Sequence, residues 1–320
     1  MFPVIHTTLD PQALGMEVKR RYNIDGEITC QLVYRGTNDF YHIKTSSNDM
    51  ALRVAKADFR PLSEYNYELQ FTRHLAAAGC RVPASIMAKD GSLCFGVEAP
   101  DGLRAIALMD WLQGAPFDKT LNEMDAYALG AALAQVHAAG KTFVPSSRRV
   151  FDNKAFLLAR LPDLYEVAPK DRDFFAHAAN IILGEYEKIP LEKLPFGPCH
   201  GDFQYANLWK LTDGSIAIVD FDQCGDGYLA EDIQTFVWRI DMDVHREEVN
   251  RAFYSGYESI RPLLGVELDH EPFFRASRAL VLACAFAYLI NRIGPISGID
   301  MDVTCHMELI SRHLSAARLA

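Results

Sequence analysis

Asp202, Asn207, Asp220 and Asp222 fall within one short stretch that runs from Cys199 to Asp222. Carboxylate and amide oxygens grouped in this way suit magnesium carried by a polyphosphate. Asp213-Gly214 is a hairpin signal. The runs on either side, Asn207 to Leu211 and Ile216 to Phe221, are apolar and β-prone and read as its two strands. A symmetric turn would set Asn207 directly opposite Asp220, with Cβ atoms roughly 5 Å apart. A three-residue loop would break that register. Asp202 lies five residues before Asn207, in the segment leading into the first strand, and adds a carboxylate beside the pair.

His200-Gly201-Asp202, then Asn207, then Asp220-Phe221-Asp222 keep the order of the protein-kinase catalytic loop and its downstream D-F-G. Gly201 stands where many protein kinases carry an Arg, and Asp222 stands where D-F-G has Gly. In both respects the chain resembles the aminoglycoside phosphotransferase and choline kinase families, which share the protein-kinase-like fold. The resemblance is strongest over Cys199 to Trp238, weaker over Tyr34 to Pro83 and faint beyond Val244. It implies transfer of the γ-phosphoryl group of ATP to a hydroxyl. Asp202 would accept or orient the hydroxyl proton, and Asn207 and Asp220 would hold Mg2+. Asp222 would touch a second metal or the substrate, or cap a turn. Asp232 resembles an aspartate that braces the catalytic loop, and His200 reads as scaffold.

Met50-Ala51-Leu52-Arg53 stands in for the V-A-I-K strand, with Arg53 as the phosphate-gripping cation. A guanidinium stays charged and can hold phosphate oxygens with two donors. Lys56 is the runner-up, on the opposite strand face. Glu68, fifteen residues after Arg53, is the expected partner, with Glu64 one turn earlier as the alternative. Gly36-Thr37-Asn38 resembles the glycine-Thr-Asn turn of choline kinases, in which Thr37 and Asn38 would donate to phosphate. A plain hairpin turn is the other reading.

These groups need a frame. The elements predict an α+β, protein-kinase-like two-lobe fold, with a small antiparallel β-sheet lobe and a larger, mainly helical lobe. Residues 1–109 read as a β-rich nucleotide-binding lobe, with strands over Glu27–Lys44, Met50–Ala55, Leu93–Val97 and Leu103–Met109 and a helix over Ser63–Ala78. Residues 110–114 read as a hinge, and Asp110 and Leu112 within it are assigned to the nucleotide. Residues 115–320 read as the catalytic and substrate lobe. Thr120-Leu121-Asn122-Glu123 fits a capping box. Helices are expected over Phe174–Lys188, Ala230–Ile240, Val244–Leu264, Pro272–Ile293 and Asp302–Arg318. A cleft between lobes would be the ligand site.

The 320 residues carry a net charge of -10, which argues against a nucleic-acid partner. Met1 to Asp10 lacks the features of a secretory signal, and the apolar run Ala279–Ile290 is too short to span a bilayer. Seven scattered cysteines without C-x-x-C favour reduced thiols in a cytoplasm. The acceptor is expected to be a small hydroxyl metabolite such as choline, an amino alcohol or an aminoglycoside. Trp209, Trp238, Tyr254, Tyr257 and Phe286 could bind a quaternary ammonium. Asp226, Glu231, Asp241 and Asp243 could bind an amine-rich sugar. Core packing of the aromatics and solvation of the acids is the competing reading. A protein serine/threonine kinase on the same scaffold and a non-catalytic nucleotide-binding pseudokinase are the alternative functions.

Overall fold

A computed structural model describes residues 2, 4–243, 246–294 and 303–319. The chain forms two compact units. The first comprises Met1–Pro116, Ala139–Arg149 and Leu208–Gly225; the second comprises Phe117–Ala138, Val150–Asn207 and Asp226–Ala320. A single cut in the segment 110–114 would assign both later pieces of the first unit to the second.

In the first unit, β1 (Thr29–Arg35), β2 (Asp39–Lys44), β3 (Asp49–Val54), β4 (Phe95–Ala99) and β5 (Gly102–Asp110) form an antiparallel sheet in the order β1-β2-β3-β5-β4. Each face is covered by a helix. Alternate residues Tyr41, Ile43, Leu52, Val54, Ile106 and Leu108 pack with Leu14, Val18 and Tyr22 of the α1 (Pro11–Arg21) side. Ala51, Ala107 and Met109 pack with Leu69 of α2 (Leu62–Ala77) on the other face. The strand period of two therefore puts Arg53, in phase with Ala51, on the α2 face. The apolar pattern alone does not announce α1. Its start rests on Asp10, whose side chain accepts from Ala13 N–H at 2.8 Å, and on Pro11 in the first turn.

A second sheet in this unit has the order β6-β8-β9, with β6 at Gly114–Pro116, β8 at Leu208–Leu211 and β9 at Ile216–Ile218. Its hairpin is one residue out from the symmetric register: Leu208 pairs with Ile218, Trp209 with Ala217 and Lys210 with Ile216. The cause is a loop of three residues, Thr212 to Gly214, closed by Leu211 N–H on Ser215 C=O at 2.8 Å. Asp213 Oδ1 accepts from Ser215 N–H at 2.9 Å and Oγ at 2.6 Å, and Gly214 takes φ +83, which a glycine adopts without strain. The expected cross-strand pair of Asn207 and Asp220 is therefore not formed. Asn207 closes a 3-10 turn before β8, and Asp220 follows β9 with φ 62 and ψ 65.

The second unit is helical: α3 (Glu123–Gly140), whose last two residues count with the first unit, α4 (Asn153–Val167), α5 (Arg172–Tyr186), α6 (Leu229–Asp243), α7 (Glu247–Glu258), α8 (Gly265–Asp269), α9 (Glu271–Ile293) and α10 (Val303–Ala316), with β7 (Phe196–Cys199) paired to β10 (Gly225–Tyr228), whose first residue counts with the first unit. The expected starts at Val244 and Asp302 lie outside the described residues, and the helix after Val244 ends at Glu258, short of Pro262. α4, unanticipated, starts on Asp152, which accepts from Ala155 N–H at 2.8 Å. The cap of α3 is Asn122, paired reciprocally with Asp125, whereas Thr120 bonds Asp118. This displaces the expected Thr120–Glu123 box by two residues. Among the described residues α9 alone is long and apolar enough to cross a membrane, and 56% of its apolar window is buried. Phe273, Ala276, Leu280 and Cys284 of α9 pack with Leu157 and Leu164 of α4, Phe175 and Ile182 of α5, and Leu309 and Ile310 of α10. α3 and α7 meet backbone to backbone: a Cβ at Gly130 would lie 2.0 Å from Phe253 C=O, and one at Gly256 1.9 Å from Tyr127 C=O.

Candidate active site

In the first unit the groups gather on α2. Arg53, 3% exposed, donates from Nη1 to Glu68 Oε1, and Arg60 Nη2 donates to Glu68 Oε2 at 2.9 Å. Both carboxylate oxygens are thus held by guanidiniums. Burial pushes the Glu68 carboxyl up, but the charges of Arg53 and Arg60 outweigh it and hold it at about 2. The expected pairing of Arg53 with Glu68 is present. Glu64, the alternative partner, pairs instead with Arg149 at 3.0 Å.

Arg60 links this cluster to the turn after Asp220. It stacks over the Tyr65 ring at 4.3 Å, and its Nη1 donates to Asp222 C=O. Arg149 Nη1 donates to the same carbonyl at 2.8 Å and to Cys224 C=O at 2.5 Å. Asp222 Oδ2 accepts from Asn38 Nδ2 at 3.4 Å, so the buried Asn38 of the 36–38 turn joins the cluster while Thr37 stays exposed. Phe221 packs edge-on against Phe71 of α2 at 5.9 Å, so the helix that presents Glu68 also seats this turn. Asp220 itself is left-handed, which costs a non-glycine residue about 1–2 kcal/mol. Strain of this kind concentrates at functional positions. Asp110 ends β5 with its N–H given to Ala84 C=O at 3.0 Å, and Leu112 lies in the connection 111–113.

In the second unit the loop after β7 carries Asp202. Gly201 has φ +83, which explains a glycine at this position. Asp232 of α6 fixes the loop backbone: its Oδ2 accepts from His200 N–H at 2.5 Å and its Oδ1 from Gly201 N–H at 2.7 Å. His137 of α3 donates from Nε2 to Oδ2 at 3.2 Å and accepts at Nδ1 from Tyr257 Oη at 2.7 Å. Burial would raise the Asp232 carboxyl, but His137, His200 and the loop N–H groups hold it below the usual range. His200 Nδ1 accepts from Asp202 N–H at 3.2 Å, a scaffold contact. The ligand atoms of His137, Cys199 and Asp232 lie within 4.8 Å of one another. They are already committed to hydrogen bonds, Cys199 Sγ with Gly197 C=O at 3.5 Å, and burial pushes that thiol up, away from a metal-binding thiolate.

Asn207 Nδ2 donates to Asp202 Oδ2 at 2.8 Å and to Asp202 C=O at 3.0 Å. This orients the carboxylate and turns Asn207 Oδ1 away as a hard oxygen donor. Asp202 Oδ1 is held by Arg278 Nη2 of α9, whose Nη1 lies 3.4 Å from Gly201 C=O. The Arg239 guanidinium of α6 sits over the Tyr205 ring at 5.0 Å and feels the Asp202 charge. Asp202 can take a proton from a hydroxyl, and the arginines can hold an anion.

The groups expected to receive an amine do not gather there. Trp238 and Tyr257 are buried, Tyr254 bonds Gln234 at 3.0 Å, and Phe286 packs beside His306 at 6.3 Å. Trp209 belongs to the first unit, on β8. Asp226 and Glu231 are buried, and Asp241 is paired with Arg275 at 3.0 Å and Asn250 at 2.9 Å. The side chain of Asp243 lies outside the described residues. Sequence reasoning missed Arg60, Arg149, Arg239 and Arg278. Only Arg278 left a signal, as a charge at the edge of an apolar helical run.

The model of the phosphotransferase enzyme family matches residues 34–263. The chain is 30% identical over 285 residues to an uncharacterized protein of Deinococcus radiodurans, covering 87% of this chain and 82% of that one. It is 27% identical over 255 residues to a homoserine kinase of Rhodopseudomonas palustris, covering 76% of this chain and 73% of that one. The solved structure of a microcompartment-associated aminopropanol kinase resembles it with a TM-score of 0.76 at 22% identity, over 97% of this chain and 99% of that one. This likeness shows the fold to be kinase-like α+β, a small antiparallel sheet with a helical part.

Proposed function

The chain belongs to the phosphotransferase enzyme family and is a kinase with an alcohol as acceptor, and from that premise we propose that it moves the γ-phosphoryl group of ATP to a hydroxyl of a small metabolite. The observation that carries this reading is Asp202, a carboxylate oriented by Asn207 in a loop whose backbone Asp232 fixes. The acceptor oxygen attacks the γ-phosphorus, its proton passes to Asp202, the bond between γ-phosphorus and the bridging oxygen breaks, and ADP leaves. Most of the acceleration in such a reaction is positioning and charge neutralisation.

Nucleotide binding falls to residues 1–109, with the hinge residues Asp110 and Leu112, and catalysis to residues 115–320 with the Asp220 turn. Arg53, fixed by Glu68, and the turn at Thr37 and Asn38 hold the phosphates. Each group has chemistry that suits magnesium: Asn207 Oδ1 is directed away from Asp202, and Asp220 and Asp222 carry carboxylates with hard oxygens. Magnesium, when bound, neutralises charge on the β- and γ-phosphates. All seven cysteines are free thiols, which supports a cytoplasmic enzyme.

The test is ADP release by purified protein with ATP, magnesium and a panel of acceptors: homoserine, aminopropanol, choline, aminoglycosides and a serine peptide. One small alcohol should raise turnover, and Asp202→Asn should lower it by about 10²–10⁴. Asn207→Ala should shift the magnesium titration to higher concentration. Turnover that no small alcohol raises, or that Asp202→Asn leaves intact, rules the reading out.

A further inference from the structure

Asp232, which fixes the loop backbone, is itself held by a chain of buried groups, all in the second unit. Glu267 of α8 accepts from Leu264 N–H at 3.0 Å. It also accepts from Arg261, in the connection between α7 and α8, at 3.0 Å from Nη1 and 2.9 Å from Nη2. Arg261 Nη1 gives its other hydrogen to Tyr257 Oη at 2.9 Å. Tyr257 Oη lies 2.7 Å from His137 Nδ1, and His137 Nε2 lies 3.2 Å from Asp232 Oδ2. Arg261 is 7% exposed, and Glu267, Tyr257, His137 and Asp232 are more deeply buried still. A guanidinium has donors only, so Tyr257 Oη must accept from Arg261. Burial pushes the phenol up, so it keeps its hydrogen, and His137 Nδ1 is the one acceptor beside it among the described residues.

We propose that Arg261 and Tyr257 are positioning residues for phosphoryl transfer: they fix the single ring proton of His137 on Nε2, facing Asp232, and so leave Asp232 its full charge for the loop that carries Asp202. This rests on the kinase reading above and adds two residues that touch none of the reacting groups. Asp232 alone does not settle the state of the ring. It is satisfied by a neutral imidazole protonated on Nε2 and equally by an imidazolium. Arg261 decides between them. An imidazolium would aim a second N–H from Nδ1 at Tyr257 Oη, and the hydroxyl hydrogen, hemmed in by Arg261, would be buried without an acceptor, which is costly. The remaining titratable group at the ring is Cys199 of β7, which burial keeps as an uncharged thiol. An imidazolium would draw the Asp232 charge toward itself and weaken the bonds to His200 and Gly201 N–H, and Asp202 follows Gly201 directly.

Nitrogen-15 NMR of the full chain labelled at histidine, at pH 7, reads the ring directly, with His137 identified by its loss in His137→Gln. Wild type should carry one proton, on Nε2. Tyr257→Phe, which keeps the Arg261–Glu267 pair, should add a second proton to the ring. It should also lower kcat about tenfold, the worth of one hydrogen bond to a charged group, with KM for ATP and for the acceptor within about twofold. Arg261→Met combined with Glu267→Met removes the ion pair whole, leaves no buried carboxylate unpaired, and should act in the same way. Arg261→Lys keeps a donor to Tyr257 Oη and should return the ring to one proton and kcat to near wild type. A wild-type ring protonated on Nδ1 or on both nitrogens overturns the proposal, and so do variants that keep kcat or lose it with the ring unchanged. Turnover by wild type upholds the kinase reading in each of those cases. If wild type turns over no alcohol, the kinase reading falls and this role falls with it.

Discussion

Asp232→Asn is the sharpest perturbation of the loop that carries Asp202. The wild-type carboxylate accepts from His200 N–H at 2.5 Å, Gly201 N–H at 2.7 Å and His137 Nε2 at 3.2 Å. Asparagine keeps the shape but turns one of the two oxygens into a donor. With its remaining oxygen on the His200 and His137 side, its amide nitrogen meets Gly201 N–H head-on. One charge-assisted bond is lost, the others weaken to neutral ones, and a buried N–H is orphaned. At about 1.5–3 kcal/mol for a hydrogen bond to a charged group, plus the orphaned donor, the cost is about 3–4 kcal/mol. With a urea slope of about 3 kcal/mol/M, the unfolding midpoint should fall by roughly 1 M. Asp202 follows Gly201 directly, so a displacement of about 1 Å should also lower kcat by about 10². Urea unfolding followed by far-UV circular dichroism and steady-state turnover on one preparation measure both. A midpoint shift worth under about 1 kcal/mol, together with kcat within about twofold of wild type, would refute the claim that Asp232 fixes the loop.

Two buried carboxyls give pH predictions of opposite sign. Glu68 is held at about 2 against an ordinary 4.5, so its contribution, about 3 kcal/mol, is fully present above pH 4.5 and lost as pH falls through about 2. Glu68→Gln should therefore be less stable at neutral pH and flatten the decline of the urea midpoint from about pH 5 to 3; parallel profiles would count against the ion-pair cluster. Glu231 is pushed up to about 8 by burial, so its contribution is full below pH 4.5 and lost as pH rises through about 8. Glu231→Gln should gain Tm relative to wild type between about pH 6 and 8, and a difference independent of pH would contradict a neutral Glu231 in the folded state.

The sequence carried the local rules and not the long-range choices. Arg53 and Glu68 were legible because strand alternation sets the face of Arg53, and the next helix covers that face. The register of the hairpin was not legible, because one side-chain contact, Asp213 with Ser215, selects the loop length. The α3 cap was misplaced because two overlapping patterns compete, and Thr120 is diverted to Asp118. Arg60 and Arg278 act through partners that no periodicity encodes: Asp222 lies 162 residues from Arg60, and Asp202 lies 76 from Arg278. The acceptor side was misread for the same reason. Aromatic and acidic residues after Ala230 advertise cation binding by composition, but packing sends Trp238 and Tyr257 to the core and Arg275 neutralises Asp241.

Gly130 and Gly256 give the α3–α7 crossing an evolutionary consequence. Each glycine lies bare against a carbonyl of the opposite helix, Gly130 against Phe253 and Gly256 against Tyr127. A methyl at either position collides with backbone, which has no rotamer into which to retreat. No single substitution at one site makes room for a side chain at the other, so the pair is closed to stepwise drift. His137, which reaches Asp232, and Tyr257, which bonds His137, stand on these same two helices. Randomised libraries that seek new acceptor specificity can spread over α6 and α9, but they should leave these two codons untouched.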